Sequence, residues 1–230
     1  MSIVLNLIMC GRYVFYAGED MFDRFYLDPH DNRDFQLNQN YNVSPGQFMP
    51  VVIPGSAKNQ LSLMRWGLIP AWAKDPQIGY RLINARAESV TLKPSFRPSF
   101  RRHRCLVPAN GFYEWQKGAK TKTPFYFTLK DQPLFAFAGL YDSWLSPDGS
   151  PLATFTIITS EANDLVLPIH SRMPIILKPQ DEGLWLDPHA HESDLTKILT
   201  PYPSNLMQTY PVSSRLNRPS QNDPDLIRPV

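Results

Sequence analysis

The sequence predicts an α+β domain, mostly antiparallel β, with curled sheets and helices packed at the edges. Three observations carry this expectation. Short stretches rich in aromatic and branched residues recur along the chain, each bounded by Pro or Gly. Helical patterning is confined to a few segments. The prolines, 23 against 11 glycines, are spread through the chain instead of gathered in one linker, which predicts one domain with many short, rigid loops. With 230 residues, 43% of them hydrophobic and 12% aromatic, the chain has ample material for a core.

In chain order, residues 12–16 follow Gly11 and alternate aromatic with branched side chains, predicting the first strand. A helix is expected over 19–26. Strands follow at 50–53, which opens on Pro50, and at 61–66, which ends at Trp66 before Gly67. The segments 104–108 and 111–115 flank a Pro-Ala-Asn-Gly turn, and 125–130 and 134–141 are dense in Phe and Tyr. Further strands are expected at 154–159, 173–177 and 206–210. Helices are expected from Ser160, as N-cap, to about 167, over 180–185, and after Ser193 to 199.

Composition excludes several classes. Two cysteines, Cys10 and Cys105, give neither a disulfide framework nor zinc-ligand spacing and fit a reducing cytosol. No metal or cofactor is expected. No transmembrane run occurs, so a cytoplasmic protein with no membrane partner is expected. Residues 1–8 are apolar but lack Lys and Arg and are shorter than a signal peptide. They read as an upstream start or as a leader removed by processing, leaving 9–230 as one domain. Net charge is +2 with pI about 8.5, too mild to announce a nucleic-acid binder. The distribution is more telling: Arg97, Arg101, Arg102 and Arg104, with His103, form a run without an acidic residue. A solvated loop and a phosphate-tracking groove both fit it.

Cys10 lies in Met9-Cys10-Gly11-Arg12-Tyr13, where Met before a small residue resembles a start site. A cysteine at a mature N-terminus carries a thiol and a free α-amine on adjacent carbons, so it can condense with an aldehyde and close a thiazolidine ring. An internal cysteine has only an amide nitrogen and cannot. In Asn84-Ala85-Arg86-Ala87-Glu88, an extended backbone sets Asn84, Arg86 and Glu88 on one face. Amide beside guanidinium suits a sugar and its flanking phosphate. Glu114 sits among aromatics in Gly111-Phe112-Tyr113-Glu114-Trp115, where partial burial favours proton transfer. His170, in a proline-bracketed loop, is placed to protonate a sugar ring oxygen. His30, His103, His189 and His191 read as structural. Trp66 and Trp72, with Phe96, Phe100 and Phe112, surround the basic run; most are expected in the core and one or two on the surface to stack on bases.

Together these motifs, with Tyr41-Asn42-Val43-Ser44-Pro45-Gly46, Arg65-Trp66-Gly67-Leu68-Ile69-Pro70, Arg104-Cys105-Leu106-Val107-Pro108-Ala109 and His170-Ser171-Arg172-Met173-Pro174, resemble the SOS-response-associated peptidase (SRAP) family. The resemblance runs over nearly the whole chain from Met9. It implies a barrel-like β core with peripheral helices and a basic groove for single-stranded DNA containing abasic sites. It further implies a covalent thiazolidine crosslink through Cys10, with Asn84 positioning the opened sugar, Glu114 moving protons near the amine, and His170 assisting ring opening. Arg12, Arg86, Trp66, Arg97, Arg101, Arg102 and Arg104 are the DNA-binding residues it suggests, on a monomer. The family pattern begins at the Met before the reactive Cys, so retention of residues 1–8 would abolish ring formation. Two other readings stay open: a thiol peptidase acting through Cys10, His170 and Glu114, and a non-covalent single-strand binder.

Overall fold

The computed structural model describes residues 11–18, 20–28, 37–116 and 123–230. The strands, in order, are β1 (Tyr13–Phe15), β2 (Asn40–Val43), β3 (Phe48–Ile53), β4 (Gln60–Trp66), β5 (Asn84–Arg86), β6 (Arg104–Ala109), β7 (Gly111–Trp115), β8 (Pro124–Leu129), β9 (Phe135–Leu145), β10 (Pro151–Glu161), β11 (Arg172–Pro174), β12 (Ile176–Leu177) and β13 (Met207–Pro211). The helices are α1 (Asp20–Arg24), α2 (Arg97–Arg102), α3 (Pro179–Leu186) and α4 (Glu192–Lys197).

Strands β10, β4, β3, β6 and β9 follow one another around a ring, and the β9–β10 ladder, from Gly139 opposite Ile157 to Leu145 opposite Pro151, closes it into a barrel. β5 and β11 extend the wall from β10, and β12 extends it from β9. A second sheet has the order β13-β8-β7-β1-β2 and is antiparallel throughout. The expected α+β barrel-like architecture with peripheral helices is therefore the one found.

The main core lies between sheet and barrel. Phe112 of β7 stacks on Phe127 of β8 at 4.9 Å and meets Phe137 of β9 edge-on. Each such buried ring contributes roughly 1.5–3 kcal/mol. Period-2 alternation turns Tyr113 to the other face, into a smaller cluster with Val14, Tyr126, Val212, Leu216 and Leu226. Glu114, two residues from Phe112, consequently faces the main interior.

Four segments differ from expectation. β2 is too polar to be singled out by pattern; Asn42 holds it by donating from Nδ2 to the carbonyls of Leu216, Arg218 and Gln221. No helix starts at Ser160, because the β11 ladder keeps Ser160 and Glu161 extended opposite Met173 and Arg172. The cap is Asn163 instead, whose Oδ1 accepts from the Leu165 and Val166 amides at the start of a run of turns. The strand expected over 173–177 is split at Ile175, which donates to Ile158 of β10 and accepts from Ala138 of β9. The basic run, which fits a solvated loop and a phosphate-tracking groove alike, forms α2 over Arg97–Arg102, with Pro98 in its first turn, and enters β6 at Arg104. Among the described residues no helix is long and apolar enough to cross a membrane.

Candidate active site

Glu114 and His170 come from separate elements and are both buried. Their side chains are 3% and 4% exposed, and Glu114 Oε1 lies 3.9 Å from His170 Nδ1. β7 carries Glu114, fixed by ladders to β1 and β8. The turns after Asn163 carry His170, whose amide donates to the Val166 carbonyl. The Arg172 amide donates to His170 Nδ1 at 3.1 Å. Since Nδ1 accepts there, the proton of the neutral ring belongs on Nε2. On protonation Nδ1–H has two acceptors to turn to, the Arg172 carbonyl at 3.2 Å and the Glu114 carboxylate.

The β1–β7 register sets Tyr13 opposite Phe112 and Val14 opposite Gly111. Continued by the Tyr113 amide donating to the Arg12 carbonyl, the same register sets Gly11 opposite Glu114. Cys10, His30 and Glu19 of the expected first helix lie outside the described residues.

Asn84 and Arg86 lie on β5, with Asn84 half-buried, Ala85 buried and Arg86 exposed. β5 pairs in parallel with β10, placing Asn84 opposite Ile157 and Arg86 opposite Thr159. Two devices hold this short strand. Trp66 donates from Nε1 to the Ile83 carbonyl at 2.9 Å. Gly67, at φ +123°, approaches Gly79 so closely that a Cβ on either would fall under 3 Å from backbone of the other. The extended stretch ends at Arg86, so Glu88 does not share the strand face as expected; it enters a 3-10 turn, Ala87–Ser89.

From that turn Glu88 receives Arg172, whose guanidinium also donates to the Thr159 carbonyl at 2.6 Å. Hydrogen bonds from Arg172 hold the Glu88 carboxyl below its usual range, with the Arg172 and Arg86 charges adding to the effect. Arg172 thereby links the β5 side of the site to His170, through its guanidinium on one side and its amide on the other. Sequence reasoning assigned Arg172 no role, although the motif beginning at His170 contained it.

Other expected DNA-binding residues are divided. Arg86, Arg97, Arg101 and Arg102 are exposed, and Arg101 pairs with Glu192 of α4 at 3.3 Å. Arg104 is corrected: it is 4% exposed and donates to the carbonyls of Trp185, Phe100, Arg101 and Asp187. A guanidinium so enclosed joins α2 to α3 and has no surface to offer a phosphate. Trp66 is corrected too, being 1% exposed and stacked on Phe155; Trp72 is the exposed member of that run. Phe96, Phe100 and Phe112 are core. Arg12 is half-buried and donates to Asn42 Oδ1 at 2.6 Å and the Leu216 carbonyl at 2.9 Å. Burial lowers its pKa. Cys105 is fully buried, and loss of solvation pushes its thiol pKa up, which disfavours a reactive thiolate.

Comparison with known proteins places the chain in a family. The model of the SOS response associated peptidase (SRAP) family matches residues 9–219. The chain is 45% identical over 222 residues to abasic site processing protein YoqW of Bacillus subtilis, covering 95% of this chain and 99% of that one. It is 32% identical over 266 residues to abasic site processing protein HMCES of Xenopus tropicalis, covering 96% and 78%. Among solved structures, a protein from Bacteroides thetaiotaomicron superposes with TM-score 0.89 at 30% identity, covering 96% of this chain and all of that one. The chain belongs to the SOS response associated peptidase (SRAP) family.

Proposed function

We propose that the protein processes abasic sites in single-stranded DNA by a covalent route, with Cys10 as nucleophile once Met9 and the residues before it are removed and Cys10 is the N-terminal residue. The Cys10 amine adds to C1′ of the opened deoxyribose, water leaves to give an imine, and the thiol adds across the C=N bond. Aldehyde and aminothiol thus yield a thiazolidine and one water, with no net oxidation.

The observation that carries this reading is the register placing Gly11, the residue bonded to Cys10, opposite Glu114, whose carboxylate lies 3.9 Å from His170. His170 donates from Nε2–H to the sugar ring oxygen as the hemiacetal opens. Glu114 shuttles the proton that converts hydroxyl to leaving water during imine formation. Asn84 orients the opened sugar and Arg86, on the same face of β5, holds a flanking phosphate. The names of the relatives, abasic site processing proteins, support the substrate. The route requires hydrolysis of the Met9–Cys10 bond, either by removal of an initiator Met where translation begins at Met9 or by cleavage of the longer leader, because an acylated nitrogen cannot form the imine.

The test is incubation of protein beginning at Cys10 with a single-stranded oligonucleotide bearing one abasic site. A heat-stable adduct, absent in Cys10→Ala and in protein retaining residues 1–9, is expected. Absence of adduct from the protein beginning at Cys10 would overturn the reading.

A further inference from the structure

An aromatic and cationic surface stands beside β5, formed by residues outside the reacting cluster. Arg65, at the end of β4, places its guanidinium carbon 5.2 Å from the ring centroid of Tyr80. Tyr80 is 62% exposed. Phe48 is the cross-strand partner of Arg65 in the β3–β4 ladder and is 50% exposed, so both side chains emerge on one face of the barrel wall.

Side chains this exposed gain little from packing, and close backbone contacts hold the chain beneath them. Tyr80 belongs to the 3-10 helix Pro76–Arg81, clamped onto β4 by the close approach of Gly67 and Gly79. That helix leads into Asn84 within a few residues. From Arg65 to Arg86 the cations are Arg65, Lys74, Arg81 and Arg86 against the single carboxylate of Asp75, and Asp75 is occupied in capping the helix through the Gln77 amide. The chemistry is that of a surface for unpaired bases: aromatic faces and a planar guanidinium to stack on, in a positive field that attracts phosphates.

We infer that Arg65 and Tyr80, flanked by Phe48, form a stacking platform for a base of the single strand that flanks the reacting sugar. The choice of ligand rests on the abasic-site reading above; the stacking itself requires no crosslink. The platform fixes the path of the strand as it leaves β5, and it is preorganised because guanidinium and ring are already stacked before DNA arrives.

The experiment measures binding of protein beginning at Cys10 to undamaged single-stranded oligonucleotides by fluorescence anisotropy, alongside adduct formation on an abasic oligonucleotide. Losing one stacked base weakens affinity roughly 5- to 150-fold. Tyr80→Ala and Arg65→Ala should each weaken binding about tenfold with unchanged melting temperature, whereas Tyr80→Phe, which keeps the ring face, should bind as wild type. Shortening the strand from one end should abolish the difference between Tyr80→Ala and wild type once the stacked base is gone. Wild-type affinity in folded Tyr80→Ala and Arg65→Ala overturns the platform. A platform effect without any Cys10-dependent adduct would leave it standing while the crosslinking reading falls.

Discussion

Arg172 and Glu88 form a two-pronged ion pair, Nη1 to Oε1 at 2.6 Å and Nη2 to Oε2 at 3.0 Å. The pair ties the edge of β11 to the turn that follows β5, across the position where Arg86 and Thr159 face one another. It joins two parts of the site that are far apart in sequence and that both pair with β10.

The two ends of this pair are unequal. Glu88 is half in water and Arg172 is 11% exposed, so Glu88→Gln should lower unfolding free energy by under about 1 kcal/mol. Arg172→Ala also removes the donors to Thr159 and should lower it by on the order of 2 kcal/mol. The Glu88 carboxyl is held below its usual value, so its contribution is full above about pH 4.5 and is lost as pH falls through the depressed folded value. Urea melts of wild type and Glu88→Gln should therefore differ by a constant amount at neutral pH and converge in acid. A gap that widened on acidification would refute the assignment.

The basic run separates into one structural and three surface arginines. Arg104→Gln, which leaves several backbone carbonyls without their donor, should reduce stability by on the order of 3 kcal/mol. Arg97→Gln, Arg101→Gln and Arg102→Gln should change it by within about 0.5 kcal/mol. If these three contact phosphates, each should also reduce the salt dependence of single-strand binding by a slope of about 0.7. Thermal melts and salt titrations distinguish the two sets, and a freely tolerated Arg104→Gln would contradict the enclosed geometry.

Cys105 should be chemically silent in the native protein. It is buried at 0% exposure with its thiol pKa raised by burial, so in a Cys10→Ala background a thiol-specific dye should react with the native chain only at the rate of its unfolding. One equivalent should react in denaturant. Rapid labelling of the native variant would show that the barrel interior opens without unfolding.

Much of the fold was legible because strands declare themselves locally. The aromatic and branched runs of β7, β8 and β9 need only alternation and bounding turns to be recognised. Where a segment's state depends on a distant partner, local reading falls short. Asn42 and its polar neighbours form β2 because the C-terminal carbonyls receive it, and Ser160 stays extended because β11 arrives to pair with it.

For the candidate site, the sequence by itself supplied the candidates, Asn84, Arg86, Glu114 and His170, each in a motif whose residue types suit the proposed chemistry. Only the tertiary structure decided which charges face water and which are enclosed. Arg104 and Arg102 are indistinguishable in a basic run, yet one is encircled by carbonyls of two helices and the other is solvated. Likewise Trp66 lies within the barrel wall and Trp72 outside it. Burial is a property of what packs against a residue, and those partners come from segments tens of positions away that no local pattern can specify. The Glu114–His170 approach and the Arg172–Glu88 link are of this kind, each joining residues far apart in the chain.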